Sequence, residues 1–170
     1  MVEYSILQRP AFDVVGVPLR TSRERQKEEI PSHWQRFLVN DRASAIPDRL
    51  DDSLLGVYTE YEAPPSSMEY SLTVGCRVSA ESAAEEGMVR IRVPESSYAV
   101  FALEGPFPEA LVDAWEWVRN SDLPRIWTAD FEDYRFRAGL AADPNVVLNV
   151  AVRGPADIEP EVGAMEQGEG

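Results

Sequence analysis

Short β-branched runs alternate along the chain with stretches whose apolar residues recur every three or four positions, and the two patterns appear twice in the same order. Residues 12–19 (FDVVGVPL) read as a first strand. Residues 21–30 are polar and highly charged, and Pro31 suits the first turn of a short helix in which Ile30, Trp34, Phe37 and Leu38 face away from Ser32, Gln35 and Arg36. Strands follow at 54–61 (LLGVYTEY) and 68–78 (MEYSLTVGCRV), parted by a turn rich in Pro and Ser. In the second half, residues 88–93 (MVRIRV) lead through Pro94 into a strand at 97–104, which Gly105 and Pro106 break. Ala110, Leu111, Ala114, Trp115 and Val118 then form the apolar stripe of a second helix. Residues 126–136 (IWTADFEDYRF), a turn at 139–145 and a strand at 146–153 (VVLNVAVR) complete the series.

The order strand, helix, strand, strand therefore occurs twice, with Trp34 and Trp115 at matching places on the helices and YTEYE at 58–62 matching DFEDY at 130–134. Two copies are too few for a solenoid. The pattern predicts an α+β fold: two βαββ repeats with pseudo-twofold symmetry, joined in one curved antiparallel sheet with both helices on one face. That domain occupies residues 1–153. The segment 154–170 holds five acids and no base, and reads as an acidic disordered tail.

Charge narrows the partners. Thirty acids against sixteen bases give a formal net charge of −14, which removes the phosphate-neutralising stripe of a nucleic-acid binder and makes anionic membrane surfaces poor partners. The single cysteine, Cys76, and the single histidine, His33, exclude a disulfide framework and zinc sites built on several Cys or His ligands. The N-terminus lacks the basic and apolar regions of a signal peptide, so the expected location is the cytoplasm. No dinucleotide, phosphate-loop, metalloprotease or nucleophile-elbow motif occurs, and no cofactor or metal is implied. His33 reads as a solvated histidine, and Cys76 as an inert thiol on the apolar face of its strand.

Aromatic residues interleaved with acids are the feature left over. In a strand Asp130, Glu132 and Tyr134 share one face, and Tyr58, Glu60 and Glu62 make the same alternation in the first half. One reading is a half-exposed strand with its polar residues in water. The other is a site for a flat organic cation, held by charge and by cation–π contact.

IPSHWQRF at 30–37, YAVFALEGPF at 98–107 and WEWVRNSDLPRIWTADFEDYRF at 115–136 together resemble the GyrI-like small-molecule-binding domain, the effector-binding domain of multidrug-sensing AraC- and MerR-type regulators. The resemblance implies a ligand pocket between helices and sheet, with Glu132 as its anionic residue and Tyr134 beside it. Trp34, Trp115, Tyr58, Tyr70 and Phe101 would supply stacking surface, the alternative for each being plain core packing. A second carboxylate, from Glu60, Glu62, Glu69 or Glu104, is a candidate for the same pocket. Regulators with this domain carry a helix-turn-helix segment for which neither flank has room, so a stand-alone binding, sequestration or sensing protein is expected. Two alternatives follow from the same resemblance. One is a cofactor-free hydrolase of cyclopropane-bearing genotoxic natural products, with Glu132 as general base. The other is a protein-binding gyrase inhibitor whose acidic surface mimics DNA.

Overall fold

The structure, a computed structural model, describes residues 2–65, 68–135 and 145–154. Strands β1 (Ser5–Arg9) and β2 (Phe12–Ser22) precede helix α1 (Gln26–Val39), and β3 (Leu54–Glu62) and β4 (Glu69–Val78) complete the first half. The second half holds β5 (Val89–Val93), β6 (Ser96–Ala102), α2 (Glu109–Asn120), β7 (Ala129–Arg135) and β8 (Asn145–Val152). All eight strands pair antiparallel in one sheet of order β1-β6-β8-β7-β3-β4-β2-β5. Exchanging the two halves and reversing the direction of reading reproduces this order, with β3 and β7 meeting at its centre. The expected tail beyond residue 154, and the expected turn before Asn145, lie outside the described residues.

Three boundaries differ from the pattern-based expectation. β1 has no alternating signature and is a strand because it pairs with β6 along Ser5 to Arg9. α1 begins at Gln26, inside the charged stretch, so Pro31 lies within the helix and not in its first turn. The acids Glu28 and Glu29 in the first turn and Arg36 in the last suit the helix dipole. Finally β7 starts only at Ala129: in the preceding segment Arg125 makes an isolated bridge with Val152 of β8 and Trp127 sits at φ 62°, and pairing with β3 begins at Ala129.

Each helix buries one stripe. His33 and Phe37 of α1 and Leu111, Ala114 and Val118 of α2 pack on the same sheet face, which carries Tyr58, Tyr70, Leu72, Leu148 and Val150. His33 is only 5% exposed, and its Nε2 lies 2.8 Å from the Val17 carbonyl of β2. It is thus a buried tether between helix and strand and not a solvated residue, and burial lowers its pKa. Cys76 is buried in the core of this face, where desolvation raises its pKa to about 11.

Among the described residues the opposite face has no helix, yet Val14, Leu55, Val57, Val93, Tyr98 and Phe131 are buried there. Phe12 of β2 and Tyr98 of β6 both reach the Phe131 ring of β7, at centroid distances of 5.1 and 5.3 Å. In a flat sheet β2 and β7 would be three spacings apart, roughly 14 Å. The sheet therefore curls until this face covers itself, which leaves the other face to the helices. Among the described residues no helix is long and apolar enough to cross a membrane.

Candidate functional site

The curl spreads the helix-bearing face, and α1 and α2 stand on it without closing the space between them. A cavity of about 640 Å³ opens there, walled mostly by apolar and aromatic side chains. Trp34 comes from α1, Trp115 from α2, Tyr58 and Tyr61 from β3, and Tyr134 from β7. Phe107, just before α2, adds an edge-on contact with Tyr134 at 5.9 Å. Trp34 packs against Tyr134 at 4.7 Å, and Trp115 against Tyr58 at 5.3 Å, each tilted edge to face.

Glu132 forms the floor. It is 1% exposed, and both carboxylate oxygens accept hydrogen bonds: Oε2 from the Tyr58 hydroxyl at 2.9 Å and from Trp115 Nε1 at 2.6 Å, and Oε1 from the Tyr134 hydroxyl at 2.5 Å. Burial pushes its pKa above the ordinary carboxylate value, and the three hydrogen bonds work against that shift without cancelling it. Burial together with the neighbouring Glu132 drives the hydroxyls of Tyr58 and Tyr134 well above the usual tyrosine value, so both remain donors.

Room for this arrangement comes from Gly56. It is the cross-strand partner of Glu132, and a Cβ at that position would stand 3.2 Å from both Glu132 Oε1 and Trp34 Cζ2. A glycine inside a strand marks such a close approach, a signal present in LLGVYTEY that pattern reading passed over. Gly56→Ala is expected to push carboxylate and indole apart by a few tenths of an ångström and to weaken ligand binding roughly tenfold, with less than about 1.5 kcal/mol lost in stability. A ligand titration beside a denaturant melt checks both.

Asp130, two residues before Glu132 on the same face, is completely buried but differently supplied. It accepts from the Tyr61 hydroxyl, from Arg125 Nη2 at 2.7 Å and from the Ala151 amide at 2.8 Å. Arg125 in turn stacks on Trp127, 3.7 Å from the ring centroid. The acids of β7 are therefore interior groups, and the half-exposed strand reading does not hold: Asp130, Glu132 and Asp133 are all buried.

Of the residues singled out in the sequence, Glu132, Tyr134, Trp34, Trp115, Tyr58 and Tyr70 all line the cavity. Phe101 does not; it packs with Tyr4 and Trp117 in the core beneath α2. None of Glu60, Glu62, Glu69 and Glu104 lines the cavity, and all four are exposed. The reason in β3 is a register shift between Thr59 and Glu62, with Glu60 at φ 55°. The expected alternation of Tyr58, Glu60 and Glu62 breaks there, and Tyr61 takes the inward place beside Tyr58 while Glu60 and Glu62 meet Arg20 outside. Tyr61, Gly56, Phe107 and Arg125 are the site residues that sequence reading missed. Among the described residues no group of three or more His, Cys, Asp and Glu is placed to hold a metal.

Residues 5–152 match the family described as integron-associated effector binding protein. The chain belongs to that family. It is a GyrI-like effector-binding domain, and its sheet and helices overlay those of an integron cassette protein of Vibrio cholerae with a TM-score of 0.68 at 25% identity, covering 88% of this chain and 95% of the other. SAV2435, solved bound to tetraphenylphosphonium, shares the fold with a TM-score of 0.65 at 19% identity, over 89% of this chain and 94% of that one. The transcriptional regulator BrlR of Pseudomonas aeruginosa is 32% identical over 155 residues, 86% of this chain and 53% of the regulator. The domain thus spans about half the length of that relative.

Proposed function

We propose that this effector-binding domain takes up hydrophobic aromatic cations in the cavity between α1 and α2, for sensing or sequestration, with Glu132 as the countercharge and the surrounding rings as a tolerant stacking surface. The observation that carries this reading is the contrast between two buried carboxylates two residues apart. Asp130 is matched by Arg125, whereas among the described residues Glu132 meets only neutral donors and no Lys or Arg within ion-pairing distance. A buried anion without a cation is costly, and a bound cation relieves that cost. Aromatic faces add cation–π attraction, about 2 kcal/mol for a desolvated contact. The binding of tetraphenylphosphonium by SAV2435, which has the same fold, supports the choice of ligand class.

A titration with tetraphenylphosphonium and with neutral triphenylphosphine oxide, followed by tryptophan fluorescence across a range of pH, tests the reading. The Glu132 pKa is raised in the free protein, so protonation removes the countercharge at a higher pH than for an exposed glutamate. Cation affinity is expected to fall as pH drops through that raised value, while the neutral probe shows no such dependence. At a pH near that raised value, cation binding lowers the pKa again and releases a proton, seen as a buffer-dependent heat. In the free protein the folded state holds this proton more tightly than the unfolded chain. Its contribution to stability is therefore lost as pH rises from the ordinary carboxylate value through the raised one. A cation affinity flat in pH and equal to that of the neutral probe would remove Glu132 from the site.

A further inference from the structure

The cavity's charges are distributed against the trend of the chain. Acids outnumber bases by thirty to sixteen overall, but the lining includes Arg23, Lys27, Arg119 and Arg125 and only one acid, Glu132. Arg125 is neutralised by Asp130 and is largely buried, its side chain 8% exposed. The other three stand exposed around the mouth: Arg23 just before α1, Lys27 in its first turn and Arg119 in the last turn of α2. Among the described residues none of these three forms a salt bridge, although Arg20, Arg25, Arg77 and Arg90 elsewhere each have a carboxylate partner. Among the described residues the Arg23 side chain hydrogen-bonds the Pro65 carbonyl, at 3.5 Å, and no carboxylate.

A chain with so many acids does not lack partners for three bases, and positive charge at the mouth that meets no carboxylate among the described residues disfavours the entry of a simple cation. The same charge favours a molecule whose outer end is negative. We infer that the preferred ligand is amphoteric: a flat aromatic cation seated on Glu132 that carries a carboxylate or similar anionic group directed outward against Arg23, Lys27 and Arg119. The inference rests on the cation-binding reading and adds a second, opposite pole to it. The floor carboxylate is buried whereas the three bases at the mouth are exposed, so the two poles differ in their response to salt.

The test compares a carboxy-rhodamine with its methyl ester, the same xanthylium cation with and without a free carboxylate, by fluorescence anisotropy. The wild type is expected to bind the carboxy form about tenfold more tightly than the ester at low ionic strength, the sum of several weak exposed ion pairs. That preference should shrink at high salt. In the triple variant Arg23→Gln, Lys27→Gln, Arg119→Gln, whose sites are exposed, the preference should vanish because the carboxy form weakens while the ester binds as well as before or better. Two results overturn the inference while sparing the cation-binding reading: equal affinity of wild type for both dyes, or a preference that the triple variant keeps. If neither dye binds, both readings fall together, and unchanged ester affinity in Glu132→Gln removes the cation-binding reading by itself.

Discussion

Glu132→Gln should weaken a lipophilic aromatic cation by two orders of magnitude or more and leave a neutral ligand of the same shape little affected. The magnitude follows from removing the partner of a buried charge, which costs about 3–5 kcal/mol and exceeds what any single ring supplies. Glutamine is a clean replacement here. Its carbonyl can take the place of Oε2 and accept from Tyr58 and Trp115, while its amide donates to the Tyr134 hydroxyl, which also accepts. The aromatic box should stay assembled, and the thermal midpoint at neutral pH should not fall, because a desolvated charge has been removed. Trp34→Ala, by contrast, should weaken cation and neutral ligand alike. Calorimetric titration of wild type and variant with both ligands reads these differences directly. A variant that loses turnover of a strained cyclopropane substrate but keeps its affinity would favour the hydrolase reading. The geometry gives that reading less to work with, since Oε2 already accepts two hydrogen bonds and Oε1 one, whereas a cation needs only the charge.

Asp130→Ala is expected to lower stability by about 3–5 kcal/mol, a drop in thermal midpoint on the order of 10 °C for a domain of this size. Three groups lose their acceptor at once: the guanidinium of Arg125, the amide of Ala151 and the hydroxyl of Tyr61. The charge on Arg125 dominates, because its side chain is 8% exposed and no other carboxylate reaches it among the described residues. Contacts with the Trp127, Trp115 and Tyr61 rings offset only part of the loss. The double variant Asp130→Ala, Arg125→Met should therefore be more stable than the single one, since it no longer buries an unpaired cation. A single variant that melts with the wild type would show that Asp130 is solvated and not the anchor described above.

The order of elements after β1, the stripe of α2 and the shared face of alternate β7 residues could be read from the sequence because each depends on spacing along one segment, whereas on α1 the reading put Leu38 in the buried stripe and His33 in water and the fold does the reverse. Trp34 and Trp115 occupy stripe positions, and the alternation of Asp130, Glu132 and Tyr134 places them on one strand face wherever that strand lies. The resemblance to GyrI-like domains singled out Glu132, a choice that spacing alone left open. What spacing could not reveal is whatever depends on a neighbour from another segment. β1 is a strand only through β6, and Gly56 matters only because pairing with β7 sets it against Glu132. The bulge after Thr59 reverses which of Tyr61 and Glu60 faces inward, and a two-residue alternation has no way to register one extra residue. The ionic surroundings of Asp130 and Glu132, two of the three β7 carboxylates and alike in their sequence setting, were decided by tertiary structure. The segment before β7 brings Arg125 to Asp130, whereas Glu132 among the described residues meets only neutral donors, and this difference in neighbours makes one a structural ion pair and the other a buried carboxylate held by Tyr and Trp donors.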